Sequence, residues 1–109
     1  MAKYVSFFSY TTEAIKGMMN RQSDRTAAAK ALVESLGGSL EGFYWMQGPH
    51  DGLLISELPE SVNGAALSAA VTGSGAISHV ETHQLFDRDQ QASIMKLAGT
   101  AMSAYKSPA

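Results

Sequence analysis

Phe43, Tyr44, Trp45 and Met46 follow one another with no polar residue between them. Successive side chains on a strand point to opposite faces, so a strand carrying this run is apolar on both. The opening stretch repeats the pattern: from Lys3 to Tyr10, Tyr4 and Phe8 share one face while Val5 and Phe7 share the other. A sheet built from these strands needs cover on two sides. In a chain of 109 residues, long enough for one core but not two, that requirement limits the choice of fold.

The rest of the pattern supplies the elements. Lys3 to Tyr10 reads as a first strand, rich in β-branched and aromatic residues. Thr11-Thr12 caps a helix with Ile15, Met18 and Met19 at helical spacing, and Gly17 with the NRQSD stretch interrupts it. A second helical run, RTAAAKALVESL, places Ala28, Leu32 and Leu36 on one face and stops at Gly37-Gly38. Strands follow over Ser39 to Met46 and Leu53 to Leu58, joined by the QGPHD turn. Pro59-Glu60-Ser61 then opens a small-residue helix with a stripe of Val62, Ala66, Ala69 and Ala70, expected to pack close to the sheet. It ends at Gly73-Ser74-Gly75. Ser78 to Phe86 forms the fourth strand. Asp87 and Gln90 make a capping box for a last helix with Ile94, Leu97, Ala101 and Tyr105 on one face. Lys106 to Ala109 are expected to fray.

The order β-α-β-β-α-β plus a terminal helix, all in one domain over 1–109, predicts an α+β fold of ferredoxin-like type. That fold is a four-stranded antiparallel sheet with helices on one face. The second face would then be bare and apolar, a large patch for a single copy. A twin packing sheet against sheet about a two-fold axis resolves the conflict. Burying about 400 Å² per chain is worth about 10 kcal/mol gross at ~25 cal/mol/Å², before the cost of association.

Composition narrows the function classes. Hydrophobic residues make up 45% and charged residues 17%, as in an ordinary globular protein. No apolar run is long enough to span a bilayer, and MAKYVSFFSYT lacks the apolar core of a signal peptide, so the expectation is a cytoplasmic protein without membrane partners. Zero cysteines remove disulfides, thiolate nucleophiles and Cys-ligated metals. Residues 1–30 carry five Lys/Arg against two acids, whereas residues 31–109 carry three against eight. No basic stripe with interleaved aromatics is present, so nucleic acid is not an expected partner. Lys16, Arg21, Arg25 and Lys30 read as the wet side of a helix.

The opening MAKYV, the AAKALVESLGG helix end, FYWMQGPHD, LLISELPE and ISHVETHQLFD resemble, in order and spacing, the GYD-domain family of small bacterial proteins. The similarity runs from Met1 to about residue 97. It implies a ferredoxin-like fold of the dimeric α/β-barrel type and a homodimer or an assembly of dimers. It implies little about chemistry, because the family is largely without assigned function. The Gly-Tyr-Asp turn that names the family stands here as Pro49-His50-Asp51, with only Asp51 retained. His83 occupies a position where the family usually has an aliphatic residue.

Both departures install an imidazole, and the candidate chemistry centres there. His79, Glu81 and His83 alternate along the fourth strand and so share a face. At roughly 3.4 Å per residue, His79 and His83 stand about 13 Å apart, whereas ligands to one ion must lie within about 4 Å of each other. Only neighbouring pairs of the three have a chance at a metal. A Glu–His pair for acid–base work asks less of the geometry, since the carboxylate fixes the imidazole tautomer. The expectation that strand three runs parallel to strand one, and strand four antiparallel, brings His50 and His83 to one mouth about 9.6 Å wide. Asp51 can satisfy backbone amides in its turn. Tyr10, Tyr44 and Trp45, with His79 and Asp51, are the candidate ligand-binding groups, set among Phe43, Met18, Met19 and Met46.

Two functions compete on these residues. One is a homodimeric enzyme without an organic cofactor, using His50, His83 and Glu81 as acid–base groups on a small molecule in an apolar cavity. Isomerisation, decarboxylation, a lyase step or cofactor-free oxygenation would suit those groups. The other is a non-catalytic binding or assembly module. A metal at His79, Glu81 and His83 is the minor variant.

Overall fold

The computed structural model describes residues 1–108, and Ala109 lies outside the described residues. In chain order the elements are β1 (Ala2–Tyr10), α1 (Thr12–Asn20), α2 (Arg25–Ser35), β2 (Ser39–Trp45), β3 (Gly52–Leu58), α3 (Ser61–Gly73), β4 (Ile77–Leu85) and α4 (Arg88–Met102). The breaks have local causes. Thr11 Oγ1 accepts from the Ala14 N–H at 3.1 Å to start α1, and Asp24 Oδ1 accepts from the Ala27 N–H at 3.0 Å to start α2. The interrupted helical segment is therefore two separately capped helices. Gly37, at φ 80°, ends α2 in the left-handed region that favours glycine. Asp87 and Gln90 form the expected capping box at α4.

The strands order as β2-β3-β1-β4, each antiparallel to its neighbours, which is the ferredoxin-like topology. Two expectations are corrected here. The sheet is open, with β2 and β4 as edges, and is not closed into an α/β barrel. Strand three runs antiparallel to strand one, pairing Val5 with Ile55 and Phe7 with Leu53. The starts of β3 and β4, rather than the start of β3 and the end of β4, therefore share an end of the sheet.

Burial alternates along the central strands and fixes the two faces. Tyr4, Ser6 and Phe8 of β1 and Leu54, Ser56 and Leu58 of β3 are buried on the helix side. Val33 of α2 and Leu67 of α3 complete the core. Inside it, Thr82 Oγ1 lies 2.9 Å from Ser6 Oγ and 3.3 Å from Ser68 Oγ, a short hydroxyl chain, whereas the buried Ser56 Oγ has no hydrogen-bond partner among the described residues. The sequence stripe on α3 is rotated from the one that packs: Gly64 and Leu67 are buried, whereas Val62, Ala69 and Ala70 face solvent. With small residues all round α3, periodicity carried little information about its orientation.

Helices α1, α2 and α3 lie over one side of the sheet, against β1, β2 and β4 in turn. The last helix does not join them. No residue of α4 is buried, Leu97 is 71% exposed and Tyr105, just beyond the helix, 72%, and the molecule measures 58 × 33 × 23 Å. The apolar stripe read on α4 exists but stays exposed in the single chain. A bulge at Glu41 shifts the β2–β3 register between Leu40 and Gly42, and the Glu41 carboxylate reaches Lys3 Nζ at 3.0 Å. No helix among the described residues is long and apolar enough to cross a membrane.

Candidate functional site

The side of the sheet that carries no helix gathers four of the singled-out side chains. On β1 the outward positions are Val5, Phe7 and Ser9. Their partners on β4 are His83, Glu81 and His79 respectively. The QGPHD turn delivers His50 to the same side. Phe7 forms the centre: its ring lies 5.6 Å from His50 and, edge-on, 6.2 Å from His83. His50 in turn stacks on His79 with centroids 6.2 Å apart and planes 15° from parallel. The result is a row, His79–His50–Phe7–His83–Glu81. The gap foreseen between His50 and His83 is filled by the Phe7 ring, which was read only as a second apolar face in need of cover.

At one end of the row, His83 Nε2 and Glu81 Oε2 stand 2.8 Å apart, with both side chains about half exposed. That hydrogen bond, more than the nearby imidazole charges, holds the Glu81 carboxyl below the usual carboxylate range. In the neutral imidazole, Nε2–H donation to the Glu81 carboxylate would leave Nδ1 as the free acceptor of His83. On the other side of Phe7, His50 Nδ1 is buried with no hydrogen-bond partner among the described residues. Among those residues, no three of His, Asp or Glu converge closely enough to hold a metal ion.

The remaining predicted residues separate. Tyr44 is on the open side but 62% exposed, and its ring lies over Gly42, where a Cβ would come within 3.1 Å of it. Trp45 and Tyr10 are on the helix side, stacked with centroids 5.2 Å apart. The sheet thus stands between these two and the imidazoles, so the expected single cavity is divided. Burial raises the Tyr10 phenol above its ordinary pKa, and the nearby Arg25 guanidinium partly offsets the shift. Asp51 is a clamp. Its Oδ2 accepts from the Tyr10 N–H at 2.8 Å, its own N–H donates to Phe8 O at 2.8 Å, and its carbonyl accepts from the Met46 N–H at 2.9 Å. It satisfies an amide of β1 rather than of its own turn.

Comparison with known proteins adds the family and little about chemistry. Three crystal structures align with this chain at low identity. TTHA0845 from Thermus thermophilus is 15% identical, with 80% of this chain and 95% of that one covered and a TM-score of 0.46. Atu4242 from Agrobacterium tumefaciens is 14% identical, with 81% and 95% covered and a TM-score of 0.48. An uncharacterised NIPSNAP domain protein from Burkholderia xenovorans is 12% identical, with 80% and 94% covered and a TM-score of 0.46. Comparison with curated proteins finds no match. The GYD-domain model, in contrast, matches residues 4–95, a span that takes in β2, β3, β4, all but the first two residues of β1, and the imidazole row; the chain belongs to the GYD-domain family.

Proposed function

We propose that the protein is a homodimeric small-molecule-binding module whose two copies meet across the helix-free side of the sheet, with the His79–His50–Phe7–His83–Glu81 row at the seam. The observation that carries this is the bare side itself. Val5, Phe7, Leu53 and Ile55 form an apolar strip there that stays partly accessible in the single chain, and three helices are all committed to the opposite side. Two open sheets stacked about 10 Å apart would bury that strip without either sheet closing on itself. The stripe on α4, exposed in the single chain, offers further apolar area to the same association. The unpartnered His50 Nδ1 supports a ligand at the seam, since a buried ring nitrogen calls for a hydrogen bond.

Sedimentation equilibrium over a wide concentration range tests the dimer. The wild type should hold a two-chain mass and Phe7→Glu should sediment as one chain. A wild type that is a single chain throughout sinks the proposal.

A catalytic version of the same seam is favoured by one observation, the 2.8 Å contact between Glu81 and His83. In it Glu81 orients His83, and His83 Nδ1 takes a proton from a carbon acid, with His50 across the Phe7 ring as a second acid–base group. Solvent deuterium uptake into a panel of enolisable carbonyl compounds, lost in His83→Gln, is its expected signature. Uptake unchanged in that variant removes His83 from the reaction.

A further inference from the structure

Two adjoining cavities lie on the helix side of the sheet, away from the imidazole row. The inner one, about 110 Å³, is floored by Phe8, Leu54 and Val80 and walled by Leu32, Leu67 and Val71. It exists because α2 packs over β2 while α3 packs over β4, and the residues of α2 that face the gap between them, Ala28 and Ala29, are too small to fill it. The outer one, about 340 Å³, opens beside α1 and includes Arg21. Tyr10, Arg25 and Ala76 line both, so these three form the neck.

Arg25 is the charged group at that neck and is only partly exposed. It makes a long hydrogen bond, 3.4 Å to Ser23 Oγ, and sits beside the Tyr10 phenol, but no carboxylate among the described residues lies within ion-pair distance of it. The nearby acids are engaged elsewhere: Asp24 caps α2, and Asp51 accepts from the Tyr10 N–H. A partly buried arginine with no carboxylate partner among the described residues, set over an apolar chamber, is matched by a ligand that brings the anion with it. Its flat pair of N–H donors fits a carboxylate, and the Tyr10 phenol is a second donor at the same neck.

We propose that this neck and chamber form a binding site for an apolar monocarboxylate, an aryl or branched-chain acid, with the carboxylate on Arg25 and Tyr10 and the apolar body between α2 and α3. The chamber is of the order of the ~150 Å³ apolar cavity known to take a benzene ring. The site lies on the opposite side of the sheet from the proposed seam and does not depend on it.

Titration of the full ¹⁵N-labelled chain with phenylacetate tests the site, with 2-phenylethanol as the neutral isostere and inorganic sulfate as the anion without an apolar body. Phenylacetate should shift the amides of Tyr10, Arg25, Ala29 and Val71 and bind at least about tenfold more tightly than the alcohol. Arg25→Gln should abolish that preference and Arg25→Lys should retain part of it. Ala29→Leu, which leaves Arg25 in place, should exclude both aryl ligands. The proposal is overturned if phenylacetate leaves these amides unmoved, if acid and alcohol bind alike to the wild type, or if sulfate shifts the neck as strongly as phenylacetate does. Shifts confined to His50, His79 and His83 would also overturn it, while leaving the seam reading intact.

Discussion

His50 stacks on His79, 6.2 Å between ring centroids and 15° from parallel, and does not meet His83 directly. The pairing follows from strand direction. Strands β3 and β4 both run against β1, so the turn that precedes β3 reaches the side of the sheet where β4 begins. Phe7 then joins this stacked pair to the Glu81–His83 pair.

The Glu81–His83 contact gives a pH signature. The hydrogen bond holds the Glu81 carboxyl below the usual carboxylate range, so its contribution to stability is fully present above that range and is lost as pH falls through the depressed value. Carbon-detected NMR of the Glu81 carboxyl should show the low midpoint in the wild type and its return to the ordinary range in His83→Ala. The stability gap between wild type and Glu81→Gln should close over the same acidic interval.

Asp51 ties the start of β3 to β1 through its carboxylate and its own N–H, and to the end of β2 through its carbonyl. Removing the carboxylate in Asp51→Ala leaves the Tyr10 N–H without its 2.8 Å acceptor. A part-buried donor left unpaired costs about 1–3 kcal/mol, and urea unfolding should read a loss of that size. Asp51→Asn, which keeps an acceptor oxygen, should lose less.

Gly52 is required by close approach. A methyl group there would stand 2.6 Å from Phe8 Cζ and 2.8 Å from the carbonyl oxygen of Tyr44. Neither the core ring nor the paired backbone of β2 can withdraw without disturbing the sheet. Gly52→Ala should destabilise by about 1–3 kcal/mol in denaturant unfolding, the usual cost of overpacking.

The capped but unburied α4 should be the least protected helix. Fifteen residues with no buried side chain form a marginal helix in water, so in a dilute sample of the Phe7→Glu chain its amides should exchange with deuterium well before those of β1 and β3. Asp87→Ala, which removes the capping box, should speed that exchange further and leave the protection of the strands unchanged.

Element order and type were legible wherever local chemistry decides them. Thr11 and Asp87 each mark a helix start through a side-chain oxygen on a backbone N–H, and the mixed-parity run at Phe43–Trp45 does place aromatic rings on both sides of the sheet; Asp24, read only as part of the interrupting NRQSD stretch, caps α2 in the same way. What was not legible depends on how elements meet. The partner of His50 required the direction of β3, which is a property of the whole sheet. The division of Tyr10 and Trp45 from the imidazoles follows from parity, counted along strands whose bulges shift it, as at Ser9/Tyr10. Arg25 was read, together with Lys16, Arg21 and Lys30, as part of the wet side of a helix. Its position at a cavity neck comes from Ala28 and Ala29 leaving space above β1. The one hint in the sequence was the excess of base over acid in residues 1–30.

The extra residue at Glu41 has a meaning for what this chain avoids. A free strand margin such as β2 is a template on which a stray peptide can lengthen the sheet, the first step toward fibrils. Doubling one residue there throws the exposed amides and carbonyls out of step, and the Glu41–Lys3 ion pair sets charge beside the fault. An incoming strand can match the backbone above the fault or below it but not across it, so lateral growth on this margin stalls within a few residues.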